Sequence, residues 1–225
     1  MKHTQVPNKM AEDGLTPREQ LVYAVLHSYN NPVNGCFPSL EKISQRSKLS
    51  IPTIRKSLKR LEETEYIKVE KRGRKNYYLF NKYIEFEPFS QEFLDNQNIT
   101  PTTKAYLIAA QQLMFKDVEG IGKISYSVNS LADKINMPES SIRRCNKELE
   151  NKNYLTTITN KSRDLETGCN TNTKIFNLKE LGQSIIWVLK NHEDRLDKLE
   201  REMKEKDILI EKLLKERNKP NVILT

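Results

Sequence analysis

Between Ser50 and Arg60 the chain sets hydroxyl-bearing and cationic residues on a helical spacing: Ser50, Pro52, Thr53, Arg55, Lys56, Lys59 and Arg60. Guanidinium and ammonium groups neutralise phosphates, while Arg, Lys and Thr side chains can hydrogen-bond base edges. Further on, Lys71, Arg72, Arg74 and Lys75 crowd around Gly73. A basic loop tip of this kind is suited to phosphates or a minor groove. A second, sparser series follows in Ser140, Ser141, Arg143, Arg144 and Lys147, and then Lys161 and Arg163. The partner this chemistry predicts is double-stranded DNA.

Catalytic chemistry finds no comparable support. Gly120-Ile121-Gly122-Lys123 lacks the spacing and the following hydroxyl residue of a phosphate loop, and reads as a turn. His3, His27 and His192 are scattered, as are Cys36, Cys145 and Cys169. Zinc sites and structural disulfides want pairs at short spacing, so the expectation is free thiols, no metal, no cofactor and no catalytic residue. Tyr66 and Tyr154 stand at equivalent strand starts and read as structural. The chain is expected not to be an enzyme, unless a recruited partner such as a helicase supplies the active site.

An internal repeat must position these groups. Leu40, Ile43, Leu49, Ile54, Leu61, Tyr66 and Ile67 recur as Val128, Leu131, Met137, Ile142, Leu149, Tyr154 and Leu155, each pair 88 residues apart. At the same spacing Arg55, Lys56 and Lys59 recur as Arg143, Arg144 and Lys147, whereas Leu58 meets Asn146. Upstream, Leu15-Thr16-Pro17 and Ile99-Thr100-Pro101 each open a helical run, Arg18 to Tyr29 and Thr102 to Phe115. Thr is the candidate N-cap and Pro the first helical residue in both. Thr16 and Glu19 also have capping-box spacing. A few extra residues near Val118 to Lys123 account for the different offset of these flanks.

Each unit reads as helix, helix, helix and hairpin. In unit one Leu21, Val25 and Tyr29 mark the first helix, Ser39 caps a second, and Ser50 caps a third that runs to about Thr64. On the third, Ile54, Leu58 and Leu61 share one face, leaving the cations outward, as a recognition helix in a major groove requires. Tyr66 to Glu70 and Tyr77 to Phe80 alternate as the two strands of a wing. Unit two repeats this with strands Tyr154 to Thr159 and Lys174 to Leu178. Between them lies a longer polar loop, Asn160 to Thr173, read either as a longer reach along DNA or as disorder. Thirteen cations face five acids from Ser39 to Lys82, but ten face six from Lys123 to Lys179, so unit one is the stronger phosphate binder. The expected fold is mainly α with small β-wings (α+β). It comprises two tandem winged helix-turn-helix units at 12–86 and 99–181, a packed linker at 87–98 carrying Phe89, Phe93 and Leu94, and a C-terminal helix at 183–218.

Several stretches carry a resemblance: Gln5-Val6-Pro7-Asn8, Leu15 to Tyr23, Gly35-Cys36-Phe37-Pro38-Ser39, and Leu49-Ser50 with Thr53, Ile54, Leu58 and Leu61. Together they resemble the helix-turn-helix domain of phage and plasmid replication proteins and related transcription regulators. The resemblance covers roughly the first 85 residues well and the second unit more loosely. It implies a winged-helix fold and DNA binding, and leaves replication and transcription both open.

The C-terminal stretch has apolar positions on a four-three alternation, Ile185, Leu189, Leu196, Leu199, Met203, Ile210 and Leu213, with His192 and Lys206 interrupting it. That is a heptad pattern and predicts a homo-oligomer through Leu189, Leu196, Leu199, Met203, Ile210 and Leu213. The alternative is a single solvated helix lying on its own protein. The chain has 225 residues, a net charge of +8, 36% hydrophobic and 30% charged residues. No apolar run is long enough to span a membrane, and Met1 to Leu15 lacks a signal-peptide core. A cytoplasmic protein is therefore expected, in the host cytoplasm if phage-encoded. Replication or transcription machinery is a further expected partner. The competing class is a structural protein whose winged helices and coiled coil assemble a larger complex.

Overall fold

The computed structural model describes residues 3–116, 121–163, 170–182, 203, 204 and 206, with backbone alone for 159–163, 170 and 171. The chain divides into two compact units, Met1–Ser184 and Ile185–Thr225. In the second, Met203, Lys204 and Lys206 are helical and exposed. Leu189, Leu196, Leu199, Ile210 and Leu213 lie outside the described residues.

The first unit is an α+β arrangement. Strand β1 (His3–Pro7) leads through a 3-10 turn (Asn8–Met10) into α1 (Pro17–Ser28), α2 (Leu40–Ser47) and α3 (Ile51–Glu63). The hairpin β2 (Ile67–Arg72) and β3 (Lys75–Phe80) follows, then β4 (Phe86–Ser90) and α4 (Gln91–Asp95). The second half comprises α5 (Pro101–Gln111), β5 (Phe115–Lys116), β6 (Ile121–Ile124), α6 (Val128–Lys134), α7 (Glu139–Asn151), β7 (Leu155–Arg163) and β8 (Asn170–Asn177). Strand β1 pairs with β4, β2 with β3, and the last four form one antiparallel sheet in the order β5-β6-β8-β7.

Local chemistry sets the helix starts. The Glu19 carboxylate accepts the Thr16 N–H at 2.6 Å and its hydroxyl at 3.0 Å. Ser39, Ser50, Thr100 and Ser127 each accept a backbone N–H three residues on, closing the starts of α2, α3, α5 and α6. Residues Gln20–Leu26 of α1 and Thr103–Gln111 of α5 are all buried. Helices apolar nearly all round belong in an interior, and these two pack on each other at the centre.

The repeat extends to backbone conformation. Left-handed residues occur at Lys48 (φ 57) after α2 and at Asn136 (φ 52) after α6, and again at Glu65 (φ 60) and Asn153 (φ 59) after the third helices. Both pairs keep the 88-residue spacing. In each half the residue next along, Tyr66 or Tyr154, donates its N–H to Leu61 O or Leu149 O at 2.9 Å. The tyrosines differ in burial: Tyr66 is buried and bonds Asp13 Oδ2 at 2.5 Å, while Tyr154 is half-buried. The exceptional Asn146 is explained by its neighbour. It is buried, and its Oδ1 accepts the Tyr106 hydroxyl at 2.9 Å. A buried polar group needs such a partner.

Four expectations are corrected. The first helix of the second half ends at Gln111, short of Phe115, because Leu113 and Met114 turn back onto Ala110 O and Gln111 O. Phe115 and Lys116 then form a strand. Of the expected turn at Gly120 to Lys123, residues 121–123 belong to β6, which pairs with β5 and β8. A Cβ on Gly122 would meet Met114 Sδ at 2.7 Å, so close packing demands glycine there. The expected loop at Asn160 to Thr173 is largely strand, since β7 runs to Arg163 and β8 starts at Asn170. Finally, Met1 to Leu15 is no passive leader: β1 supplies the pairing partner of β4.

The 87–98 stretch is buried at Phe89, Phe93 and Leu94. Lys104 Nζ donates to Leu94 O at 2.5 Å and Asn96 O at 2.9 Å, capping α4 from α5. Burial lowers the Lys104 pKa to about 8. Further ties cross between the halves: Asn136 Nδ2 donates to Ala11 O at 2.6 Å, Gln112 bridges Pro7 O and Gln20, and Lys116 pairs with Glu87. One continuous apolar core results.

Candidate nucleic-acid interface

Helix α3 buries Ile54, Ser57, Leu58 and Leu61 and exposes Pro52, Arg55, Lys56, Lys59 and Arg60. The three- and four-residue spacing of its apolar positions makes that division unavoidable once Ile54 and Leu61 enter the core. Lys56 has no ion-pair partner within 4 Å among the described residues. Lys59 and Arg60 reach Glu63 at 3.8 and 3.6 Å; such exposed pairs hold their charges weakly. Ser50 and Thr53 are partly committed already, with hydroxyls 2.8 Å apart and Ser50 Oγ accepting the Thr53 N–H. No acid stands in the first turn of α3, so its partial positive end is uncancelled.

The β2–β3 hairpin rises after α3 with Arg72 opposite Lys75 and a two-residue turn of Gly73 and Arg74. Gly73 has φ +62, the left-handed value the first turn position of such a hairpin uses. Ile67 and Tyr78 are buried beneath, while Lys71, Arg72, Arg74 and Lys75 are all exposed. Opposite the cations, Glu70 pairs with Arg72 at 2.9 Å and Lys68 at 3.2 Å, and these bonds lower its pKa. The third helix and this hairpin therefore bring eight exposed cations (Arg55, Lys56, Lys59, Arg60, Lys71, Arg72, Arg74 and Lys75) onto adjoining elements.

Helix α7 repeats the geometry with altered chemistry. Ile142, Cys145, Asn146 and Leu149 are buried, while Ser140, Arg143, Arg144 and Lys147 are exposed and Ser141 is half-buried. Its N-cap is Pro138, which offers no side-chain bond, and Glu139 occupies its first turn. Arg143 is drawn to that carboxylate at 3.0 Å. Glu148 stands where α3 has Arg60. It accepts the Thr100 N–H at 2.8 Å and hydroxyl at 2.7 Å, the Thr103 hydroxyl at 2.5 Å, and Lys152 Nζ at 3.0 Å. Burial opposes its ionisation, but these bonds prevail and hold its pKa at about 2. Lys161 and Arg163 lie on β7, and their side chains fall outside the described residues. Sequence reasoning passed over Phe37 and Tyr77, whose rings stack beside the hairpin with centroids 5.1 Å apart. Phe37 carries no periodic signal, because it sits in a loop.

Three helices with a tight turn before an outward basic helix define a helix-turn-helix, a DNA-binding class. The family model described as a helix-turn-helix domain matches residues 13–67, which span α1 to the start of β2. No curated protein matches the chain. No helix among the described residues is long and apolar enough to cross a membrane, and no cluster of three or more His, Cys, Asp or Glu could hold a metal ion there.

Proposed function

We propose that this is a non-enzymatic protein that grips duplex DNA through two tandem winged helix-turn-helix units, the first being the principal reader. Helix α3 enters the major groove, Arg55, Lys56 and Thr53 meet base edges, and Lys59, Arg60 and the hairpin cations neutralise phosphates. The supporting observation is that Ile54, Leu58 and Leu61 are buried while Arg55, Lys56, Lys59 and Arg60 face outward beside the basic hairpin. The C-terminal helix joins copies into a homo-oligomer through its heptad positions, which presents several readers to symmetric or repeated sites. The biological role is replication-origin binding or transcription regulation in a phage or mobile element, acting in the cytoplasm alongside the corresponding machinery.

The test is duplex binding by fluorescence anisotropy across a salt series, using fragments selected from the source genome. Lys56→Ala with Arg60→Ala is expected to weaken binding and flatten its salt dependence. Unchanged binding rejects α3 as the reader. Clustering of bound fragments at one origin favours replication, and overlap with promoters favours regulation. For the second unit a protein partner is the alternative, favoured by Glu139 at the start of α7 and by Glu148 in place of Arg60.

A further inference from the structure

On the β2–β3 hairpin, Arg72 stands opposite Lys75 and Glu70 opposite Tyr77, so all four side chains rise from one face. Cys36 O accepts the Tyr78 N–H at 2.8 Å, which ties the loop before α2 to β3. That bond lays Phe37 on Tyr77, with centroids 5.1 Å apart and planes 37° apart. The Arg72 guanidinium lies 4.5 Å from the centroid of Tyr77, and the Lys75 ammonium 5.3 Å from that of Phe37. The four groups make a row of cation, ring, ring and cation. Phe37 remains 39% exposed, so the row faces outward between the start of α2 and the hairpin tip. Burial alone does not account for a large ring kept there.

Long cationic side chains normally lose rotamer freedom when they bind. A ring beneath each cation removes part of that freedom in advance. We propose that Phe37 and Tyr77 are positioning residues that hold Arg72 and Lys75 ready for the sugar–phosphate backbone flanking the α3 contact. The hairpin then engages as a preset clamp. This rests on the DNA-binding reading above.

The test exploits the fact that the rings carry no charge. Phe37→Leu with Tyr77→Leu leaves every cation in place, yet the slope of log K against log salt should fall by up to about 0.9 for each of the two phosphate contacts. Arg72→Ala with Lys75→Ala should give the same loss, and combining all four changes should add little. Phe37→Tyr with Tyr77→Phe keeps both rings and should retain the wild-type slope. A urea midpoint shows that each variant is folded, and Phe37→Leu alone serves if the double change unfolds. In the free protein, proton NMR should show ring-shifted side-chain resonances for Lys75 and Arg72, lost on removal of the rings. An unchanged slope in the leucine variants, additive losses, or absence of the ring shifts overturns the proposal. A wild-type chain that binds no duplex overturns the DNA-binding reading, and this inference with it; duplex binding with an unaltered slope overturns only this inference.

Discussion

Helices α3 and α7 hold equivalent places in an 88-residue repeat, and their inner faces are conserved in kind while their outer faces are not. Ile54 and Leu61 are matched by Ile142 and Leu149, all buried. Outside, α3 begins with Ile51 and Pro52 under a Ser50 cap, whereas α7 begins with Glu139 under Pro138. Arg60 is exposed, while Glu148 at its counterpart turns back to cap α5. The scaffold constrains only what it buries, so an outward face can change role without disturbing the fold. One copy is electrostatically prepared for phosphates and the other has spent acids on its own architecture.

The sharpest way to break this contrast is to neutralise each helix separately. Lys56→Ala with Arg60→Ala should cost about 100-fold in duplex affinity, near the sum of two contacts at about 1–3 kcal/mol each. Arg144→Ala with Lys147→Ala should cost less than about 5-fold. Equal losses in anisotropy titrations would show that the two helices bind alike.

A second contrast lies in the cores, where Asn146 and Tyr106 are hydrogen-bonded and the counterpart of Asn146 is Leu58. Asn146→Leu alone should destabilise by about 2 kcal/mol, because it orphans the Tyr106 hydroxyl. Adding Tyr106→Phe should recover most of that loss. A double-mutant cycle in urea measures the coupling, and purely additive effects would deny the pair its role.

Glu148 offers a pH test. Its folded pKa of about 2 lies below its ordinary value, so its stabilisation is present above about pH 4.5 and is lost as pH falls towards 2. Glu148→Gln should lower stability at neutral pH by about 1 kcal/mol, as lost caps do, and the difference from wild type should shrink on acidification. A pH-independent difference would point to packing instead. The smallest effect is expected for Glu139→Gln. It uncovers the positive end of α7 and frees Arg143, and should tighten duplex binding about 2-fold, within the range of helix-end charges. Weaker binding would mean that Glu139 orders Arg143 productively.

These contrasts also mark what the sequence made legible. Helix caps at Ser39, Ser50 and Thr100, the buried stripe of α3 and the exposed cations follow from spacing and local chemistry. The left-handed residues Lys48 and Asn136 lie within the repeat but have no residue type in common, so their conformation was hidden. Strands β1 and β4 escaped because His3 pairs with Ser90 across most of the first half, which leaves no local alternation to read. Strands β5 and β6 are short and interrupted by Gly122, which resembles a turn residue until Met114 is seen against it. Phe37 escaped because its role depends on a loop docking against β3.

The stretch joining the halves is itself strand and helix, and it is anchored by Lys104 and by the contact from Asn136 to Ala11. Hence the molecule offers no hinge between its two outward helices. DNA held by both would have to match their separation and helical phase by its own bending or twisting, and half a turn of extra spacing would put one contact on the wrong side of the duplex.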